Sequence, residues 1–294
     1  MTEFFIGIDG GGTSCRAALA SADGTVLGRG GSGAANILTD LDGGVRHIVE
    51  AARAACVDAG VGNDALSSCN VLLGLAGANV EATVGAVMGR LPFRRCAVES
   101  DALIAVHGAL GDQDGAVAIL GTGSVFATKT GGVVRTIGGW GFVVGDQGSG
   151  AVLGRSLMQE ALLAYDGVRP GTAATDLVLR DFDNDPQKLV AFAHGSLPGA
   201  FARYAPAVFR LAGEGDAVAI RLVESAARQI DESLDTVLQG PNPKLCLLGG
   251  LGALYETWLK PEHRECVVPP EGDALEGASR LALMRFAAGG DANE

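Results

Sequence analysis

The sequence predicts a two-lobed α/β fold made from a duplicated βββαβα unit, and three observations carry the prediction. Apolar, strand-like runs alternate with segments of helical periodicity through the first half of the chain. A glycine-turn unit then recurs roughly a hundred residues after its first appearance. Ile8-Asp9-Gly10-Gly11-Gly12-Thr13 is answered by Ile119-Leu120-Gly121-Thr122-Gly123-Ser124. Finally, 294 residues, 48% of them hydrophobic and 19% charged, suffice for about two domains with a sizeable core.

Residues 4–8 and 15–20 read as strands on either side of Gly10, Gly11 and Gly12, and the Asp23-Gly24 turn leads into a third strand. These glycines join strand to strand. A dinucleotide fingerprint or a Walker loop needs them to open a helix, and no GxxxxGK[ST] occurs. Residues 43–57 place Val45, Ile48, Val49, Ala52 and Cys56 on one helical face. A buried strand at 70–78, a short helix near 80–90, a strand at 96–100 and a helix opening at Asp101 follow. The second glycine unit, 116–135, is again strand, turn, strand, turn, strand. Beyond it the chain reads as helices at 149–165, 174–181, 186–194, 199–212 and 216–239. A strand at 244–252 runs into glycines, and a closing helix covers 275–287. The lobes divide as 1–108 and 109–294, with the last helix a candidate to return to the first lobe.

Acidic residues outnumber basic ones, 34 to 22, for a net charge of −12, which argues against a nucleic-acid groove. No basic segment followed by a long apolar run opens the chain, and no apolar run nears the roughly 20 residues of a membrane span. The expected compartment is the cytoplasm. Cys15, Cys56, Cys69, Cys96, Cys246 and Cys266 are scattered, without CxxC or Cys-His spacing, so they read as small core residues. The acidic "LRDFDNDP" stretch lacks the calcium-loop spacing and reads as surface.

Phosphate is the ligand that best explains the glycine turns. Consecutive backbone N–H groups form an anion-binding nest, and a Cβ would block the approaching oxygens. Thr13, Thr122 and Ser124 add hydroxyls, while Asp9 at the strand end suggests Mg²⁺ held through water. Two ordinary hairpins are the alternative. The duplicate copy and a third turn at Gly249 and Gly250 favour a nucleotide. Asp101 ends an apolar strand and opens a helix, where an acid serves either as helix N-cap or as base.

The motifs "GIDGGGT", "GTGS" and "LLGGLG" resemble the sugar kinase/heat-shock ATPase/actin superfamily. More narrowly, "IDGGGTSCRA", "GSGAANI", "GLAGA", "ESDALIAVHGA", "GGWG", "GDQGSGAVLG" and "DALEGA" resemble bacterial glucosamine kinases and N-acetylglucosamine kinases, the BadF/BcrA-type branch. The resemblance implies an actin-like (ribonuclease H-like) ATPase fold with an interlobe cleft. It also implies ATP and Mg²⁺ as cofactors, an amino sugar as acceptor and a homodimer as the assembly. Two hairpins would clamp the phosphates (Asp9 to Thr13, Gly121 to Ser124), and Gly249 with Gly250 would meet adenosine. Asp101 would be the base that takes the proton of the sugar 6-hydroxyl.

The same resemblance assigns sugar binding to Asn36, Asp101, Gly139, Trp140 and Asp146. From position alone, Asn36 could equally be a loop residue, Trp140 a packed aromatic, Asp146 a helix N-cap. Gly148 and Ser149 could belong to a hinge or a cap. "DQGSG" points to glucosamine and "GGWG" to an acetylated amino sugar. ROK-type sugar kinases match less well, since their cysteine-rich zinc motif is missing. Related ATPases that drive electrons into dehydratases carry cluster-binding cysteines, which the scattered cysteines do not support. A non-catalytic sugar-responsive protein would need no base at Asp101.

Overall fold

A computed structural model describes residues 3–78, 80–240 and 243–287. The chain divides into two compact units, one of residues 1–113 with 270–294 and one of residues 114–269.

In the first unit, β1 (Phe4–Gly10), β2 (Cys15–Ala20) and β3 (Val26–Ser32) form an antiparallel meander. Then come α1 (Leu41–Asp58), β4 (Cys69–Leu75), α2 (Glu81–Met88), β5 (Arg95–Ser100) and α3 (Asp101–Leu110). The sheet order is β3-β2-β1-β4-β5, with β4 parallel to both β1 and β5. Period-2 alternation buries both faces. Ile6, Ile8, Val71 and Leu73 pack in a cluster with the apolar stripe of α1, while Phe5 and Leu72 point the other way, into one with Ile104 of α3.

The second unit repeats that plan with β6 (Gly115–Leu120), β7 (Ser124–Thr130) and β8 (Val133–Gly138). Its helices are α4 (Gly150–Tyr165), α5 (Ala173–Asp181), α6 (Pro186–Gly195), α7 (Pro198–Ala202), α8 (Ala205–Gly213) and α9 (Ala217–Val237). After them come β9 (Leu245–Leu248), α10 (Gly252–Tyr255) and α11 (Pro261–Arg264). The order β8-β7-β6-β9 reproduces β3-β2-β1-β4, again with the fourth strand parallel to the first. The duplicated glycine units are thus equivalent hairpins of two equivalent sheets.

Two expectations change. The single helix at 199–212 is two, α7 and α8, broken at Arg203 and Tyr204. Pro206 has no N–H to give Ala202 and its ring clashes with the preceding turn, so the helix restarts with proline in its first turn. The division at 108/109 is also replaced: the units part at 113/114 and again at 269/270. The last helix, α12 (Ala274–Ala287), belongs to the first unit, where it packs along α3 and β1. Glycines make that packing possible. A Cβ on Gly277 would lie 1.9 Å from the Ile104 carbonyl oxygen, and one on Gly108 would lie 1.9 Å from that of Asp273.

Candidate active site

The first hairpin tip is short because Gly10 pairs with Cys15, and the Gly11 N–H closes the turn on the Ser14 carbonyl at 2.9 Å. Its base is anchored on neighbouring loops: the Gly11 carbonyl accepts from Ala35 N–H and the Gly10 carbonyl from Ala76 N–H, both at 2.9 Å. Gly10 is glycine for an internal reason, since its Cβ would lie 2.5 Å from Leu75 Cδ2. Gly11 and Gly12 are different. Neither has a left-handed φ, the nearest atom to a Cβ on Gly11 is 3.6 Å away, and nothing lies within 4 Å of one on Gly12. The protein's own packing therefore does not require glycine at either position. The N–H groups of Gly12 and Thr13 meet no backbone acceptor among the described residues, and Thr13 is exposed.

The second tip is built the same way. Leu120 pairs with Ser124, the Gly121 N–H closes on the Gly123 carbonyl at 2.9 Å, and a Cβ on Gly121 would meet nothing. This tip is braced by residues 146–151. The carbonyls of Gly121 and Thr122 accept the first amides of α4, from Gly150 (2.8 Å) and Ala151 (3.1 Å). Ser124 is buried, and its hydroxyl donates to the Gln147 carbonyl at 2.7 Å, so that hydroxyl serves the brace rather than a ligand. Thr122 remains exposed at the tip. Ser149 caps α4 by accepting the Val152 N–H, which displaces the alternative of Asp146 as N-cap.

Asp146 instead ties the brace to the "GGWG" loop. Its carboxylate accepts the Gly141 N–H at 3.1 Å, and a Cβ on Gly123 would come within 2.9 Å of it. Burial pushes its pKa up, opposed by the N–H groups of Gly141 and Ser124. Asp146 itself holds a left-handed φ of 58°. Gly138, Gly139 and Gly141 hold similar positive φ values, so the loop backbone itself demands glycine there. Trp140 is 80% exposed, with Val143 and Val144 also exposed, so the packed-aromatic alternative is excluded. Past β9, Gly249 is fixed by a φ of 80° and by the Leu120 carbonyl, 2.3 Å from its would-be Cβ, whereas Gly250 borders open space.

In the first unit, Ser100 caps α3 by accepting the Leu103 N–H, leaving Asp101 at the first helical position with no capping duty. Its Oδ1 accepts the adjacent Ala102 N–H at 2.9 Å, and its own backbone N–H also faces the carboxylate. Asp101 is open to solvent, yet protein fills much of the volume around it. That partial desolvation is the first cause raising its pKa, the nearby Asp9 charge adds to it, and the Ala102 N–H opposes both. Asn36 is half-buried, its Oδ1 accepting from Leu38 and Thr39 N–H, so it shapes its own loop while its amide nitrogen donates to no described residue.

Arg16 was not among the sequence candidates. It stands opposite Asp9 in the β1–β2 register and gives Nη2 to Asp9 Oδ2 at 2.6 Å and Nη1 to Asp273 Oδ2 at 2.7 Å. The hairpin register alone would have found the Asp9 partner. Among the described residues no group of three or more His, Cys, Asp or Glu side chains could hold a metal. Asp9, which shares Arg16 with Asp273, offers a single carboxylate and so fits a Mg²⁺ ion carried mainly by water and phosphate, the usual mode for that ion.

Duplicated sheets with matching hairpin tips define the actin-like ATPase fold, and a solved structure agrees. A candidate N-acetylglucosamine kinase from Chromobacterium violaceum superposes with a TM-score of 0.86 at 33% identity, over 95% of this chain and 98% of that one. The chain belongs to the BadF/BadG/BcrA/BcrD ATPase family, whose sequence pattern matches residues 6–282. Membership makes ATP the nucleotide. Among characterised relatives, the glucosamine kinase GspK of Vibrio cholerae is 37% identical over 95% of this chain and 96% of its own. The N-acetyl-D-glucosamine kinase of Dictyostelium discoideum is 27% identical over 81% of this chain and 80% of its own.

Proposed function

We propose that the protein is an ATP-dependent amino-sugar kinase that phosphorylates the 6-hydroxyl of glucosamine. The observation that carries this reading is Asp101: a carboxylate at a strand-to-helix junction, freed from capping by Ser100, with a raised pKa. The 37% identity to a glucosamine kinase supports the choice of acceptor.

In this reading the amides of Gly12, Thr13, Thr122 and Gly123 bind phosphate oxygens, and Gly250 leaves room for the adenosine. Asp9 would hold, through water, a Mg²⁺ ion whose chemistry would be to neutralise charge on the transferring phosphates. Asp101 orients the sugar 6-hydroxyl and takes its proton at a carboxylate oxygen. The raised pKa brings that oxygen nearer the working pH, where a base is most effective. Asn36, Gly139 and Trp140 bind the sugar, and Asp146 holds the Gly139–Trp140 loop against it. The protein works in the cytoplasm, where ATP is supplied.

N-acetylglucosamine is the second reading, favoured by the resemblance of "GGWG" to acetylamino-sugar enzymes and by the Chromobacterium structure. A coupled ADP-release assay with Mg-ATP decides, using glucosamine, N-acetylglucosamine, glucose, mannosamine and a blank without sugar. Release favoured by glucosamine supports the proposal, and preference for N-acetylglucosamine selects the second reading. Equal release in every arm leaves an ATPase without a sugar substrate.

A further inference from the structure

The "DALEGA" segment at 273–278 is the motif to which the proposed chemistry gives no task. Asp273 caps α12 reciprocally: its Oδ1 accepts the Glu276 N–H at 3.0 Å, and Glu276 Oε2 accepts the Asp273 N–H at 3.1 Å. This occupies one oxygen of the cap. The other, Oδ2, accepts Arg16 Nη1 from 257 positions away in the chain.

The remaining arm of Arg16, Nη2, goes to Oδ2 of Asp9. A guanidinium facing a single carboxylate tends to engage both of its oxygens as a fork. Here the fork is split between two carboxylates, so Asp9 gives Oδ2 to Arg16 while its Oδ1 takes no bond from any described residue. The cluster also carries two negative charges against one positive. Both features suit an acid that must hold the waters of a divalent cation.

We propose that Asp273 is a positioning residue: by holding one arm of Arg16, it keeps Asp9 Oδ1 available to the hydration shell of a nucleotide-bound divalent cation. Removing the Asp273 charge releases that arm to close on Asp9 as a bidentate pair, which takes Oδ1 and neutralises the site. The C-terminal motif then has two tasks, docking α12 through Gly277 and tuning the first hairpin through Asp273. The inference rests on the reading of that hairpin as a metal–nucleotide site.

Asp273→Asn separates the tasks, because asparagine caps helices as well as aspartate does while its amide group offers Arg16 a donor in place of an acceptor. ADP binding by the full chain is titrated calorimetrically over a Mg²⁺ series and in EDTA, beside thermal melting of the ligand-free protein. The Mg²⁺ concentration for half-maximal ADP binding should rise about 3-fold or more, the scale of a partly exposed ion pair. ADP binding in EDTA and the melting temperature should stay at wild-type values. An unchanged Mg²⁺ requirement overturns the proposal, as does a loss of ADP affinity that is the same with and without Mg²⁺.

Arg16→Lys tests the route, since one ammonium does not reproduce the split fork. It should raise the Mg²⁺ requirement alone and make Asp273→Asn redundant, whereas additive shifts reject action through Arg16. Sugar-dependent ADP release by the wild type is scored separately. A Mg²⁺ shift without sugar turnover keeps this inference and rejects the kinase; turnover without the shift does the reverse.

Discussion

Gly12→Ala separates folding from phosphate binding at a single position. A methyl group there meets no protein atom within 4 Å, and the backbone is outside the left-handed region. Folding stability should therefore be unchanged or rise by about 0.4–1 kcal/mol through the stiffer unfolded chain. The methyl would instead stand where a phosphate oxygen approaches the Gly12 and Thr13 amides. Losing one hydrogen bond to a charged oxygen costs about 1.5–3 kcal/mol, or roughly 10- to 150-fold in affinity. Gly10→Ala is the contrasting variant, because its methyl would lie 2.5 Å from Leu75 Cδ2 and should lower stability before it touches any ligand. The assay is calorimetric binding of Mg-ADP alongside urea unfolding for both variants. Wild-type nucleotide affinity in a stably folded Gly12→Ala protein would refute the cradle, and Gly11 and Gly12 would revert to ordinary turn residues.

Asp101→Asn should keep ATP and sugar binding while lowering kcat by about 10²- to 10⁴-fold, the usual worth of a general base; near-normal turnover rejects the assignment. The wild-type rate should fall with acid at a pH above the usual carboxylate range, because the base must be ionised and its pKa is raised. The folded state binds this proton more tightly than the unfolded chain, so stability is lost as pH rises through the raised pKa. Asp101→Asn, which does not ionise, should consequently melt higher than wild type at pH 7, and a lower melting temperature contradicts the shift. Tyr255→Phe removes a buried hydroxyl that lacks a hydrogen-bond partner among the described residues, so urea unfolding should show a gain of about 1 kcal/mol. Gly277→Ala forces a methyl into the Ile104 carbonyl and should cost about 1–3 kcal/mol, which a thermal melt would register as a fall of several degrees.

Local chemistry made much of this molecule legible in its sequence. Glycine runs flanked by apolar strands admit few structures other than hairpins, and the recurrence at Gly121 gave the duplication without any contact being known. Asp101 stood out because a strand ends and a helix begins around it. Residues whose geometry depends on one distant partner were less visible. The helix expected at 199–212 shows a milder failure: its apolar pattern was sound, but Pro206 overrode periodicity by removing one donor.

The two sheets, the glycine tips, the acid at the head of α3 and most helix positions could be read from the residues alone. Each follows from side-chain period, turn stereochemistry or capping within a dozen residues. Which glycines answer to the protein and which leave room for something else emerged from the folded chain. Gly10, Gly249 and Gly277 are constrained by Leu75, Leu120 and Ile104, whereas Gly12 and Gly121 face open space. The folded chain also has Ser124 bracing its hairpin, Trp140 exposed and α12 joined to the first unit. Long-range packing sets these outcomes: Asp273 reaches Arg16 because two glycines let α12 lie against α3, and no period in the sequence encodes a distance between residues 257 positions apart.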